Sequence, residues 1–302
     1  MTETSLKREI IMVAFVKARI TLCAISLCAF LSFSASSQEQ RPNPVSPIAE
    51  LKTRAESGDA FARHYLSNFL SQRDSRTPGY DIALEWLCQS AVRNQPEAQF
   101  LLGYLYEQGR GLRRNYAKAA ENYQAAALQG HATAQNNLAA LYQHGRGVPK
   151  NLGKALQLYL ASARQGNPVA QCNLASLYFT GAAVPRDLAA AVRWFRAAAE
   201  QRYPAAQHNL AVFYFKGLGV PVDYAEALAW ETLAAEQGYP EAETGLGYFY
   251  ETGKGLSLDY VAAFTWYSRA SAHGDPAASA RRKSLSRRMT HRQLDEASSF
   301  VF

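Results

Sequence analysis

The stretch YQHGRGVPKNLGKAL, residues 142–156, places two glycines one residue apart, ahead of a Val-Pro pair and a run of helix-forming residues. Two kinds of structure fit it, a phosphate-binding loop and a plain turn between helices. Reading the chain in steps of 36 residues finds four more copies: YEQGRGLRRNYAKAA from Tyr106, YFTGAAVPRDLAAAV from Tyr178, YFKGLGVPVDYAEAL from Tyr214 and YETGKGLSLDYVAAF from Tyr250. Five copies in register indicate an internal repeat.

The phosphate-loop interpretation needs a strand before the loop and, usually, a lysine or a third glycine at a fixed offset. In this chain the residues before each loop are apolar at helical spacing. No copy continues as Gly-Lys-Ser or Gly-Lys-Thr. We therefore interpret the double glycine as a turn rather than as a nucleotide site.

The sequence pattern of each repeat predicts two antiparallel helices. In the first helix an alanine is followed by a leucine four residues later and a tyrosine eight residues later, and this spacing keeps them on one face. Six repeats are predicted to start at Ala62, Ala98, Ala134, Ala170, Ala206 and Ala242. The leucines are Leu102, Leu138, Leu174, Leu210 and Leu246.

The turns between helices follow from residue types that favour helix ends. A glycine ends the first helix, because glycine adopts a positive φ without steric cost. These glycines are Gly109, Gly145, Gly181, Gly217 and Gly253. An asparagine or aspartate then caps the second helix, at Asn115, Asn151, Asp187, Asp223 and Asp259. All four tryptophans share one position in the second helix, so we predict that Trp86, Trp194, Trp230 and Trp266 are core residues.

Two departures interrupt the pattern. A second glycine stop, at Gly130, Gly166, Gly238 and Gly274, is replaced by Arg202 in one repeat, which predicts either a rebuilt turn or a strained one. The first repeat carries SQRDSRTPG, residues 71–79, in place of the double-glycine loop, and Leu70 in place of the tyrosine. Since terminal repeats are often atypical, we interpret this repeat as an edge rather than a site.

The ends of the chain define the remaining segments. Residues 1–37 contain Lys17 and Arg19, an uncharged apolar run and a small-residue stretch, which together predict a secretory signal peptide, with an uncleaved membrane anchor as the alternative. The Pro-rich residues 38–47 predict an extended tether. The repeat array is predicted to span residues 48–277 and to begin with a half-unit helix that carries Ile48. Residues 278–302 predict one C-terminal capping helix and a tail, with Leu285, Met289 and Leu294 on one stripe.

Composition is compatible with a folded, exported chain. Hydrophobic residues make up 48% and charged residues 19%, so a core can be buried. The formal net charge is +7, and removal of residues 1–37, with four basic and two acidic residues, leaves 7 − 2 = +5. Cys88 and Cys172 would then be the remaining cysteines, and we predict two buried free thiols because they lie two repeats apart.

The motifs Ala-Leu-Gly-Tyr, Gly-x-Gly-Val and Asp-Tyr-x-x-Ala-x-x-Trp recur every 36 residues, and the chain resembles the Sel-one-like repeat family over about residues 48–297. This family is related to tetratricopeptide repeats. The resemblance implies an all-α, right-handed superhelical solenoid that acts as an adaptor in the cell envelope, in secretion or in signalling. Some cysteine-rich members resemble β-lactamases or penicillin-binding proteins, but the disulfide pairs of those members are absent here.

Catalytic and metal motifs are missing from the sequence. It contains no Ser-x-x-Lys, Gly-x-Ser-x-Gly, His-Glu-x-x-His or Cys-x-x-Cys, and the six histidines are scattered. We therefore predict a protein without enzymatic activity, metal or other cofactor. The alternatives are a hydrolase of cell-wall or β-lactam substrates and a scaffold that binds glycans through its aromatic residues.

The predicted binding surface is the concave groove of the superhelix. If the repeats stack as tetratricopeptide units do, four positions of each first helix face this groove. The candidates for binding a protein or peptide partner are Tyr104, Glu107, Asn136, His144, Ser176, Phe179, His208, Phe215, Lys216 and Tyr248, with Cys172 at the position of Asn136. For Phe179 and Phe215 packing against neighbouring helices is the alternative. Asn137, Asn173 and Asn209 form a ladder that we assign to structural ties between repeats.

The partner is therefore predicted to be a protein or peptide of the cell envelope. The basic tail, ARRKSLSRRMTHRQLDEA from Ala280, is interpreted as a solvated helix face, and export argues against nucleic acid. After signal cleavage we expect a periplasmic or secreted protein that is not stably inserted in a membrane.

Overall fold

The computed structural model describes residues 46–299, so the predicted signal peptide and nearly all of the predicted tether lie outside the described residues. Within this range the chain forms 15 α-helices and no strand. In order they are α1 (Ser46–Glu56), α2 (Ala60–Gln72), α3 (Tyr80–Val92), α4 (Pro96–Gln108), α5 (Tyr116–Leu128), α6 (Ala132–His144), α7 (Leu152–Arg164), α8 (Pro168–Thr180), α9 (Leu188–Glu200), α10 (Pro204–Lys216), α11 (Tyr224–Glu236), α12 (Pro240–Thr252), α13 (Tyr260–Ala272), α14 (Pro276–Ser286) and α15 (His291–Ser298).

The helices pack as a solenoid of pairs, which confirms the predicted fold class. The first helices of the repeats are α2, α4, α6, α8, α10 and α12, continued by α14, and the second helices are α3, α5, α7, α9, α11 and α13. From α4 onward each first helix packs along its own second helix, and each second helix packs on the next first helix. Consecutive first helices also touch, as α6 and α8 do. None of the helices in residues 46–299 is long and apolar enough to cross a membrane.

The double-glycine stretch is a turn, as predicted. Gly145 ends α6 with φ +69°, and Asn151 begins α7 by accepting a hydrogen bond from the backbone N–H of Lys154. The second glycine, Gly147, also has a positive φ, and it lies on the backbone of the preceding repeat. A Cβ at this position would lie 2.2 Å from the carbonyl carbon of Tyr116. The turn therefore requires glycine for its conformation and for a contact between repeats.

The core is built from the predicted alanines and leucines and from aromatic residues. These aromatic residues lie one position after the tryptophan position, which was predicted to face the core. Only Trp86 is buried among the four tryptophans, while Trp194, Trp230 and Trp266 are half-buried. The next residue along each second helix points inward instead. These inward residues include Leu87, Tyr123, Tyr159, Phe195 and Tyr267, all at most 2% exposed. Within residues 46–299 the cysteines Cys88 and Cys172 are free, and of these two only Cys172 is buried, so the prediction of two buried thiols is wrong for Cys88.

A ladder of buried glutamines joins the repeats. In the first helices Gln99, Gln135, Gln171 and Gln207 each donate to a carbonyl of the preceding second helix. Each also accepts from a second glutamine 30 residues later, at Gln129, Gln165, Gln201 and Gln237, over 2.7–2.8 Å. In the last repeat Glu243 and His273 replace this pair, with Nδ1 of the histidine 2.8 Å from the carboxylate. We call this element the glutamine clasp.

We predict that Gln171→Ala destabilises the protein by about 1–3 kcal/mol, because it removes the hydrogen bond that the side chain donates to the buried carbonyl of Ala163 and the one that it accepts from the amide of Gln201. The measurement is the free energy of unfolding in urea. Gln157→Ala, an exposed change on α7, is the matched control and should alter stability by less than about 0.5 kcal/mol. Equal effects of the two variants would contradict a structural role for the clasp.

The turn at Arg202 is strained rather than rebuilt, and these were the two outcomes predicted from the sequence. The φ of Arg202 is +64°, a value that costs a residue with a side chain about 1 kcal/mol. We predict that Arg202→Gly raises the free energy of unfolding by about 0.5 kcal/mol, since the added freedom of glycine in the unfolded chain offsets part of the gain. Arg202→Ala keeps the strain and should be nearly neutral. A loss of stability in the glycine variant would contradict this explanation.

Both ends of the array are capped by helices. At the amino end Ile48 and Ala55 of α1 are buried, and Gly58 follows the helix with φ +106°. The carboxyl end differs from the prediction of one capping helix, because it forms two. Thr290 starts α15 with a capping box that includes Gln293, which breaks the helix after α14.

The apolar stripe predicted for this end is therefore split between two helices and their connection. Leu285 on α14 and Met289 in the connection are buried, while Leu294 on α15 is half-buried against the same cluster. The three residues still cap the last repeat, although they do not share one helix.

Candidate functional site

Two cavities lie between consecutive first helices, on the surface that we call the first-helix face. The larger, the N-terminal cavity, has a volume of about 990 Å³ and opens between α2, α4 and the start of α6. Its lining includes Tyr104, one of the predicted site residues, together with His64, Trp86, Phe100 and His131. It lies where α2 packs less extensively on α3 than later first helices pack on their second helices.

The smaller cavity, the C-terminal cavity, has a volume of about 230 Å³ and lies between α10, α12 and α14. Four predicted site residues come together here, namely His208, Phe215, Lys216 and Tyr248. Arg281 of α14 and Glu241 of α12 also line it, and Glu231 of α11 reaches it from the second-helix layer. The cavity thus combines aromatic, cationic and acidic groups.

Glu231 is the unusual residue of this cavity. It takes the inward position that is aromatic or leucine in the other repeats, yet its side chain is only 3% exposed. Nδ1 of His208 lies 3.1 Å from each of its carboxylate oxygens. The facing residue is Gly245, where a Cβ would lie 1.5 Å from Oε1 of Glu231. A carboxylate fits at this position only because residue 245 has no side chain.

The contact between the two side chains favours an additional proton on the pair. Burial alone would lower the pKa of His208, but the hydrogen bond to Glu231 and its charge raise the pKa above its usual value. The charges of Glu241 and Asp275 act in the same direction. Burial also raises the pKa of the Glu231 carboxyl. The pair therefore holds an imidazolium beside a carboxylate at a higher pH than a free histidine would.

Aromatic rings form the other wall of the C-terminal cavity. The ring of Phe215 packs edge-on against Phe249 at 5.4 Å and Tyr248 at 5.7 Å between centroids. The ammonium of Lys254 lies 4.7 Å from the centroid of Phe215, and the guanidinium of Arg281 lies 5.0 Å from that of Tyr248. The ring of Phe215 thus packs against neighbouring helices and also lines the cavity.

Three other predicted site residues make hydrogen bonds within the array. Glu107 accepts a hydrogen bond from the hydroxyl of the core residue Tyr123 at 2.6 Å. Asn136 is buried, and its amide oxygen accepts from Asn173 of the next repeat at 3.1 Å. The hydroxyl of Ser176 donates to the carbonyl of Cys172 in its own helix. These contacts are local, and none of the three lines either cavity.

The last two candidates lie apart from the cavities. Phe179 packs edge-on against Phe213 at 5.2 Å, with the guanidinium of Arg186 over its ring. His144 is exposed at the end of α6. The asparagine ladder is structural where it joins repeats, since Asn137 donates to the hydroxyl of Tyr123 and Asn173 donates to Asn136.

The sequence reasoning missed Glu231 and Gly245. Both are visible once the repeats are aligned. Glu231 stands in register with Tyr123, Tyr159, Phe195 and Tyr267, and Gly245 stands in register with Asn137, Asn173 and Asn209. Two consecutive repeats therefore each depart from the consensus at one position, and the two positions face each other. The tryptophan pattern one residue before Glu231 obscured this signal. No group of three or more His, Cys, Asp or Glu residues within 46–299 is arranged to hold a metal ion.

Comparison with known families gives a direct match to the repeats. A family model described as Sel1 repeat matches residues 96–131, 132–167, 168–203, 204–239 and 240–275. These five units coincide with the helix pairs from α4 to α13, and the atypical first pair is outside them. A comparison with curated proteins found no match.

Several solved structures are similar to this chain. A Sel1 repeat protein from Oxalobacter formigenes is 29% identical, with a TM-score of 0.65, and the match covers 72% of this chain and 91% of that one. The protective antigen c5321 of uropathogenic Escherichia coli, described as displaying an SLR fold, is 26% identical over 85% of this chain and 71% of that one, with a TM-score of 0.38. The immunity protein PA5088 from Pseudomonas aeruginosa is 21% identical over 72% and 82%, with a TM-score of 0.50.

Proposed function

Because the chain belongs to the Sel1 repeat family, we propose that it is an exported adaptor that binds a segment of a partner protein along its first-helix face. Proteins built from these repeats are interaction scaffolds. The observation that carries the proposal is the convergence of His208, Phe215, Lys216 and Tyr248 on one cavity of this face. Aromatic rings beside hydrogen-bonding and charged groups are typical of the anchoring sites of protein interfaces.

The two cavities indicate how a partner segment is held. Both open between first helices, at opposite ends of the array, and each offers aromatic residues together with histidine. On α2, at the amino end of the array, the side chains of Phe61 and Tyr65 are 64% and 44% exposed. An extended segment that lies along this face can place one anchor in each cavity, and two modest contacts then reinforce each other.

The cellular location is part of the proposal. It is supported by the charged, apolar and small-residue pattern of residues 1–37, which is the pattern of a secretory signal. We expect the mature chain to begin near Gln38 and to be recovered outside the cytoplasm. Terminal sequencing of the protein from fractionated cells tests this expectation, and a cytoplasmic chain that retains residues 1–37 would contradict it.

The binding proposal is tested by crosslinking in cells. A photoreactive residue is placed at Tyr104 in the N-terminal cavity or at Lys216 in the C-terminal cavity, and trapped proteins are identified by mass spectrometry. The matched control is Val92, which is 87% exposed at the end of a second helix. Capture of the same protein from both cavities, and not from the control position, is the expected result. Capture that is equal at all three positions, or absent from both cavities, would overturn the proposal.

A further inference from the structure

The repeat that forms the C-terminal cavity replaces a stabilising core residue with a charged one. In three other repeats the inward residue is a tyrosine whose hydroxyl is held by Glu107, Gln143 or Glu251 of the first helix. In this repeat Phe215 takes the place of that partner and Glu231 the place of the tyrosine. A buried carboxylate costs free energy that an aromatic ring does not. A departure that costs stability is expected where a site requires it.

Three residues are matched to one another to make this departure possible. Gly245 leaves the space that the Glu231 carboxylate fills, and His208 supplies the hydrogen bond that a buried carboxylate needs. The histidine uses Nδ1 for this contact. Its Nε2 has no hydrogen-bond partner among residues 46–299, and its side chain is 22% exposed at the cavity. The imidazole thus presents Nε2 to whatever enters.

The charges around the cavity favour an anion. The imidazolium of His208 balances Glu231, which leaves Lys216 and Arg281 against the single carboxylate of Glu241. Lys216 and Glu241 are both exposed, and Asp275 accepts a hydrogen bond from the hydroxyl of Thr244. A cationic ligand is disfavoured, because Lys254 and Arg281 already lie over the rings of Phe215 and Tyr248. Apart from the hydroxyl groups of Thr244 and Tyr248, the rest of the lining is apolar.

We propose that the C-terminal cavity is a binding pocket for a carboxylate carried on a short apolar or aromatic stem. The carboxylate accepts hydrogen bonds from Nε2 of His208 and from the Lys216 ammonium, and the stem packs on Phe215 and Phe249. Glu231 is a positioning residue that orients the imidazole and keeps it charged. This pocket deepens the proposed function and rests on it only in taking the first-helix face as the binding surface. A free acid and a partner's side chain are the two sources of such a carboxylate, and the experiments below distinguish them.

The test uses three probes of equal shape, 3-phenylpropionate, 3-phenylpropanol and 3-phenylpropylamine, titrated into the full-length chain by calorimetry at pH 6.5. The acid is expected to bind at least tenfold more tightly than the alcohol, and the amine is expected not to bind. Lys216→Ala and His208→Gln should each weaken acid binding about tenfold. Lys150→Ala, an exposed lysine on the turn between α6 and α7, is the matched control and should change nothing.

A second variant separates loss of the pocket from loss of the fold. Glu231→Phe removes the carboxylate that orients His208 and restores an apolar inward residue, so it should weaken acid binding about tenfold, as His208→Gln does, while the thermal unfolding transition is kept or raised. Equal binding of acid and alcohol, tighter binding of the amine, or no binding of any probe would overturn the carboxylate assignment. The crosslinking result is independent of these outcomes. If crosslinking captures a partner but the protein does not bind the acid, the adaptor proposal stands without the carboxylate pocket. If the protein binds the acid but no partner is captured, a free acid is supported as the ligand.

Discussion

Gly147→Ala is expected to destabilise the protein by roughly 2–4 kcal/mol. The alanine must adopt φ near +69°, which costs about 1 kcal/mol, and its Cβ would lie 2.2 Å from the backbone of Tyr116. Backbone cannot rotate away as the end of a flexible side chain can, so the turn and α5 must move apart and lose packing at a cost of a further 1–3 kcal/mol. For a chain of this size each kcal/mol lowers the melting temperature by roughly 2–4 °C.

Two other glycines of the same repeat separate the contributions. Gly166 has φ +86° with no atom within 4 Å of a Cβ, so Gly166→Ala should cost only the conformational term of about 1 kcal/mol. Gly153 lies in α7 without a positive φ or a close contact, so Gly153→Ala should stabilise by about 0.5 kcal/mol. The measurement is denaturant unfolding of the three variants. If the alanine at 147 cost no more than the one at 166, the backbone contact would not contribute.

Glu231→Phe is expected to stabilise the protein by about 1–3 kcal/mol at pH 8, the reverse of the usual effect of changing a buried residue. It removes a buried carboxylate and supplies a ring at the position where Phe195 packs on Phe213 with centroids 5.2 Å apart. The corresponding neighbour of residue 231 is Phe249. His208 loses its partner, but it is exposed enough to reach water.

The gain should depend on pH, and the sign follows from the two pKa shifts. The folded pKa of His208 is raised above 6.5, so its contribution to stability is present below pH 6.5 and is lost as pH rises through the folded value. The folded pKa of Glu231 is raised above 4.5, so the cost of burying its charge grows as pH rises. Both shifts make the native pair less stable at high pH, and the advantage of Glu231→Phe should therefore increase from pH 6 to pH 8.

Unfolding in urea at pH 6, 7 and 8 measures this difference. Glu236→Gln, an exposed change on the same helix, is the matched control and should follow the pH dependence of the native protein. A phenylalanine variant that is less stable than the native protein, or whose advantage is constant with pH, would contradict the assignment of Glu231 and His208 as a coupled pair.

The repeat period and the residues at helix ends made most of the fold predictable. Gly145 and Asn151 act through their own backbone and side chain, so their roles can be read from local sequence. The core aromatics could not be placed in the same way. Tyr159 and its neighbour Leu160 are both apolar, and which of two adjacent residues turns inward is set by how the helices pack.

The candidate site was predictable only in part for a related reason. His208 and Tyr248 were placed correctly on the first-helix face because they lie at a fixed spacing along first helices. Glu107 and Asn136 lie at the same kind of position, yet each is engaged by a side chain from another helix, Tyr123 and Asn173. Such partnerships are tertiary, and periodicity along one helix does not contain them. Glu231 was missed because its importance comes from Gly245, which lies on a different helix.

The glutamine clasp has a consequence for how the array responds to heat or denaturant. Each clasp binds a first helix both to its own repeat and to the repeat before it, so a unit that opens also breaks polar contacts in its neighbour. In a one-dimensional array this raises the interfacial energy relative to the intrinsic energy of each unit. Partly folded chains are then poorly populated, and the repeats from α4 to α13 melt cooperatively, although every unit is locally encoded.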